Sequence, residues 1–188
     1  MICASTMATA FSYAQLKAAL WAERGARVHA VIDGLVMPGL PQRLGSAELT
    51  GWDCLQRGAL DADAAQKVPY LAELRSDAPF TDWLLAEAPA VYPGWGVLMV
   101  SQQALLPMRE HCRALGDVVT ADGERRGWRW WDPELLQALL PGLAASQLDE
   151  VFGIGQSLVV VASARWTWYA LEQGVLVSTV RDSMAAAA

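Results

Sequence analysis

Lysine is nearly missing from this chain: of fourteen basic residues only Lys17 and Lys67 are lysines, and twenty acidic residues bring the formal charge to −6. Sequence-independent binding of nucleic acid rests on a basic footprint, as does attraction to an anionic membrane surface, so neither partner is expected. With only His29 and His111, the usual general acid–base residue is scarce. Three cysteines, Cys3, Cys54 and Cys112, are odd in number and too widely spaced for a zinc site or a disulfide framework, which fits a reducing compartment. The most apolar window, Leu158 to Ala164, falls far short of the ~20 residues that span a bilayer. Residues 1–10 lack the positive start and long apolar stretch of a signal peptide. These absences point to a soluble cytoplasmic protein without a cofactor.

What is present is apolar mass. Hydrophobic residues make up 54% of the 188, charged residues 18%, and nine are tryptophans. That length supports one domain with a real core, or at most two small lobes. The domain is expected over residues 12–184, with 1–11 as an N-terminal tail and 185–188 as a tail or cloning scar. Tryptophan serves both cores and protein–protein contacts, because it combines a large flat surface with one polar N–H.

The periodicity predicts a first helix after Ser12, closed by Gly25, and then a buried strand at Val28-His29-Ala30-Val31-Ile32-Asp33-Gly34. A short helix is expected near Leu40 to Leu44, with loops around Trp52-Asp53 and from Gly58 to Asp63. Val68 to Leu74 alternates and carries Pro69 near its start, which suits an edge or first-position strand. Pro79 opens a helix through Trp83, ended by Pro89 and Pro93. Trp95 to Ser101 reads as another buried strand, and Ser101 as the cap of a helix from Gln102 to Leu115. A hairpin is expected around Ala121-Asp122-Gly123, and its second strand runs through Arg126 to Trp131. Asp132-Pro133 then opens a helix to Leu140, Asp as N-cap and Pro at the first helical position. Ala145 to Val151 is a further helix, Ser157 to Ala162 a strand, and residues 165–171 and 175–180 a closing hairpin. In it Trp166 and Trp168 share one face, and Thr167 and Tyr169 the other. The class is therefore mixed α/β: a central mixed β-sheet flanked by helices, with a C-terminal β-hairpin.

Chemistry finds little footing. Ser101 between a strand and a helix could join His111 and Asp132 as a hydrolase, but Val100 and Gln102 stand where a nucleophile elbow wants glycines. Among His29, Asp33, His111 and Cys112 no pair has metal-ligand spacing apart from the adjacent His111-Cys112, whose side chains diverge on a helix. Asp61, Asp63, Asp149 and Glu150 lie in polar stretches that would leave their pKa alone. Arg129, between Trp128 and Trp130, must stack on indole or meet a carboxylate, since burying it unpaired is unfavourable. An internal pair with Asp33 or Asp132 is the expected role, with a contact to a bound protein as the competing one. Trp166 and Trp168 are the other candidates for touching a partner.

The ordered set of Val28 to Gly34, Val68-Pro69-Tyr70-Leu71, Trp83-Leu84-Leu85, Trp95-Gly96 with Ser101, His111-Cys112-Arg113, Trp128-Arg129-Trp130-Trp131-Asp132-Pro133 and Phe152-Gly153 resembles the type VI secretion effector adaptor or chaperone family, catalogued as domain of unknown function 4123. The resemblance covers about Val28 to Gly155, and its most telling element is the aromatic-Arg-aromatic-aromatic-Asp-Pro corner. Asp33, Pro69, Trp83, Trp95, Ser101, Arg113, Arg129, Trp131, Asp132, Pro133, Phe152 and Gly153 are its motif residues, expected to be mainly architectural. The family usually reads His-Leu-Arg around His111, so Cys112 is a departure. The resemblance implies an accessory protein that binds a toxin effector and delivers it to a spike protein of the VgrG type, with no catalytic residue. Two alternatives remain: an immunity protein that neutralises a toxin by binding it, and the small hydrolase built on Ser101.

Overall fold

The computed structural model describes residues 10–119 and 124–183. In chain order the elements are α1 (Tyr13–Leu20), β1 (Arg27–Asp33), α2 (Leu40–Ser46), β2 (Gly51–Cys54), α3 (Ala62–Ala65), β3 (Pro69–Leu74), α4 (Pro79–Ala86), α5 (Ala88–Val91), β4 (Gly96–Ser101), α6 (Leu105–Leu115), β5 (Asp117–Val119), β6 (Arg125–Gly127), α7 (Pro133–Leu139), α8 (Ala145–Phe152), β7 (Ser157–Val161), β8 (Arg165–Glu172) and β9 (Val175–Asp182). A single 3-10 turn, Leu140–Gly142, joins α7 to the segment before α8.

Seven strands form one sheet in the order β2-β3-β1-β4-β7-β8-β9, and β5 pairs with β6 apart from it. The class is the mixed α/β one, with the C-terminal hairpin in place as β8 and β9. The directions are narrower than a mixed sheet, because every pairing between named strands is antiparallel. β1 lies between β3 and β4 and is buried from Val28 onward, which explains its nearly unbroken apolar run.

Strand alternation sorts the side chains onto two faces. Val28, Ala30 and Ile32 of β1 pack with Leu16, Leu20 and Leu84 from α1 and α4, and with Trp95 and Trp166. Val31 packs on the opposite face with Met108 and Cys112 of α6, Leu136 of α7 and Phe152 of α8. The same alternation turns Asp33 toward the α6–α7 side. Gly96 lets β4 come this close to β1: a Cβ there would stand 1.8 Å from the carbonyl oxygen of Val31, and its φ is +148°.

Several boundaries differ from the sequence reading. Trp52-Asp53 is strand β2 rather than loop; four residues at a sheet edge are too short to show a period. β3 is consequently interior, and Pro69 keeps only the first-position role, where its missing N–H leaves no gap in the ladder. The Gly58 to Asp63 region runs into the short helix α3, capped by Asp61. Pro89 does not stop a helix but sits in the first turn of α5. Phe11, assigned to the tail, bridges Ser183 and donates its N–H to the Asp182 carbonyl at 2.9 Å. The turn at Ala121-Asp122-Gly123 and the terminal residues 184–188 lie outside the described residues.

Candidate functional site

The second strand of the small hairpin stops at Gly127, so Trp128 to Trp131 is a turn and not a strand, closed by a bond from the Asp132 N–H to the Arg129 carbonyl at 2.9 Å. Each indole N–H of that turn has its own anchor. Trp128 donates to the Leu115 carbonyl at 2.5 Å, Trp130 to the Cys112 carbonyl at 3.1 Å, and Trp131 to Asp33 Oδ2 at 2.9 Å. Two indoles thus grip α6 and the third grips the end of β1. Asp132 accepts from the N–H groups of Glu134 and Leu135 and so caps α7, with Pro133 buried behind it.

Asp33 is the hub. Its side chain is 1% exposed, and Oδ1 accepts the Leu35 N–H at 2.8 Å. Oδ2 accepts Arg129 Nε at 3.1 Å and Arg129 Nη2 at 2.5 Å, besides the Trp131 indole. Asp132 stands farther off, 3.9 Å from Nη2. A buried carboxylate with four N–H donors is well satisfied, so the pair sets geometry without leaving an orphan charge. Arg129 itself is 44% exposed and forms a ridge between two hollows. One, of about 390 Å³, is lined by Pro69, Arg113, Trp128 and Trp131. The other, of about 510 Å³, is lined by Val36, Pro93, Pro133 and Val160.

The other motif residues are spread through the fold. Arg113 donates to the carbonyls of Leu55 and Cys54, tying α6 to the exit of β2. Trp83, on α4, lies under Arg43 at 4.9 Å and edge-on to Tyr92. Trp95 is sealed in the core, its indole N–H without a hydrogen-bond partner among the described residues. Phe152 fills the α6–α8 side, and Gly153, at φ +47°, accommodates the His111 ring; a Cβ there would lie 2.4 Å from its Cε1.

Ser101 does not cap α6, which begins at Leu105 after an N-cap alanine. The hydroxyl donates to the Ile154 carbonyl at 2.8 Å and accepts the Gln103 N–H at 3.0 Å. His111 Nε2 meets the Val151 carbonyl at 3.1 Å, and Asp132 caps α7, so the Ser101-His111-Asp132 triad is not assembled. His111 and Cys112 diverge on α6, the thiol lying 3.7 Å from Met99 Sδ; burial pushes that thiol up to about 12. Burial likewise pulls His29 down to about 4, with Arg27 adding to the effect.

The two tryptophans of the closing hairpin differ in access. Trp166 is 2% exposed and belongs to the core, so no partner reaches it on the folded protein. Trp168 is half-buried, stacked on Trp166 with centroids 5.7 Å apart and covered by the Arg181 guanidinium at 4.4 Å.

The densest cluster of aromatic and charged side chains is thus turned inward as a clamp on a mixed α/β scaffold. The chain belongs to the family described as domain of unknown function (DUF4123), whose model matches residues 28–150, from the start of β1 into α8. No curated protein and no solved structure matches it. The clamp lies inside the matched stretch, and β7, β8 and β9 lie outside it. Among the described residues no helix is long and apolar enough to cross a membrane.

Proposed function

We propose that this chain is an adaptor that binds a toxin effector of a type VI secretion system in the bacterial cytoplasm and helps load it onto a VgrG-type spike protein, without catalysing a reaction. The observation that carries the reading is the Trp128-Arg129-Trp130-Trp131-Asp132-Pro133 corner within a family match that covers more than half of the chain. Leu135 and Leu139, exposed one turn apart on α7, offer neighbouring apolar surface of the kind a partner covers. The engagement of Ser101 with Ile154 and Gln103 favours binding over hydrolysis.

The net charge of −6 also suits an immunity protein that covers a basic toxin by charge complementarity. Co-expression separates the two. The adaptor is required in the attacking cell for export of the effector and leaves its toxicity in a target cell intact. Protection of the target cell, with export unaffected by deletion, would establish the immunity role instead.

A further inference from the structure

One flank of α7 carries two partly exposed leucines. Leu135 and Leu139 lie one helical turn apart and are 37% and 38% exposed, while Leu136 and Leu140 are buried. Leu139 forms a wall of a groove of about 360 Å³. Leu115 at the end of α6, Trp128 of the corner, Leu143, and Val151 of α8 supply the remaining apolar surface. The indole of Trp128 is held in place by its bond to the Leu115 carbonyl. The groove is therefore built on the same anchors that fix the clamp.

The charged side chains described on its rim are acidic. Asp117 and Glu150 border it, both exposed, and no Lys or Arg among the described residues lines it. Neither carboxylate has an ion-pair partner among the described residues. Other acids sit in ion pairs, Asp82 with Lys17, Glu73 with Arg27 and Glu110 with Arg113, while Glu87, Glu134 and Glu172 have none among the described residues; Asp117 and Glu150 differ from these in flanking an apolar groove. Two unanswered carboxylates beside an apolar floor favour a basic, apolar occupant and disfavour an acidic one.

We infer that this groove receives an amphipathic helix of the partner, its apolar stripe on Leu139, Leu143 and Trp128 and its basic flank against Asp117 and Glu150. The apolar walls come from helices α6, α7 and α8, and β5 contributes only its first residue, Asp117, at the rim, so the surface suits the helix-in-groove mode with anchors at i, i+3 and i+4. A second copy of the chain brings a charge of −6 to an acidic rim and is disfavoured. That the helix belongs to a toxin rests on the adaptor reading; the chemistry of the occupant does not.

The test uses the whole chain and two fluorescein-labelled helical peptides with a leucine stripe, one flanked by lysines and the other by glutamates, read by fluorescence anisotropy. The lysine peptide binds, more weakly as salt rises, and Leu139→Glu weakens it at least about tenfold. Asp117→Asn with Glu150→Gln weakens it and flattens the salt dependence, and the glutamate peptide does not bind. Equal binding of the lysine peptide by wild type and by a Leu139→Glu variant that melts at the wild-type temperature overturns the inference. Equal binding of both peptides does the same, as does a wild-type dimer in sedimentation that Leu139→Glu converts to monomer. The two readings fail separately. A toxin that still copurifies with Leu139→Glu from the native cell removes the groove and leaves the adaptor; a bound lysine peptide with no copurifying toxin supports the groove and removes the adaptor.

Discussion

Asp33 and Arg129, 96 positions apart in the chain, meet through two guanidinium bonds to one carboxylate oxygen, and that contact joins the end of the central strand to the turn that starts α7. The carboxylate is buried and the guanidinium half-exposed. Losing either partner therefore has unequal consequences.

Arg129→Met leaves Asp33 buried with only the Leu35 and Trp131 donors, and is expected to lower stability by about 2–4 kcal/mol. Asp33→Ala lets the exposed guanidinium turn to water but strands the Trp131 indole and the Leu35 N–H. Chemical denaturation of both singles and the double should give a coupling energy of at least about 1 kcal/mol. Full stability in Arg129→Met together with lost effector binding would move this residue from the scaffold to the interface.

Trp166 and Trp168 should part company in the same assay. Trp166→Ala empties a core position and is expected to destabilise by about 3–5 kcal/mol. Trp168→Ala loses one stacked face and the Arg181 contact and should lower stability by less than half as much. Comparable, small effects at both positions would contradict the burial of Trp166.

Gly153→Ala places a methyl group against the His111 ring at a positive φ and is expected to lower stability by about 2 kcal/mol or more. Adding His111→Ala relieves the clash but not the backbone strain, so thermal melting should recover only part of the loss.

Stability should fall with acid through His29. Its ring is fully buried, its nitrogens have no hydrogen-bond partner among the described residues, the Glu73 carboxylate stands 3.7 Å from Nε2, and its pKa drops from 6.5 to about 4 in the folded protein. Between those values the unfolded chain holds the extra proton, so stability rises with pH across this window and is lost as pH falls through it. The contribution is on the order of 3 kcal/mol. Burial lowers His111 as well, in the same direction. The gap between denaturation midpoints at pH 7 and pH 4.5 should narrow in a His29→Leu variant, with the His111 contribution remaining; an unchanged difference would assign the acid sensitivity elsewhere.

Much of this architecture was legible before any coordinates. β1 showed itself as an apolar run because both its faces are covered, and Asp132-Pro133 marked a helix start by local chemistry alone. A guanidinium among indoles called for a carboxylate, and Asp33 supplies it. Less visible was whatever depends on short or distant pieces. β2 has four residues and no readable period. The aromatic run Trp128 to Trp131 has strand propensity, yet three indole anchors on α6 and β1 hold it as a turn. The apolar groove draws on α6, α7 and α8, and no single stretch of sequence contains it.

The central claim, that this chain holds a toxin for delivery, is tested most directly by affinity purification of the tagged protein from its native cell. A toxin effector recovered with it at near-equal amount, joined by a VgrG-type spike protein, is the expected result. Recovery of neither, from cells that produce and export the toxin, would contradict it.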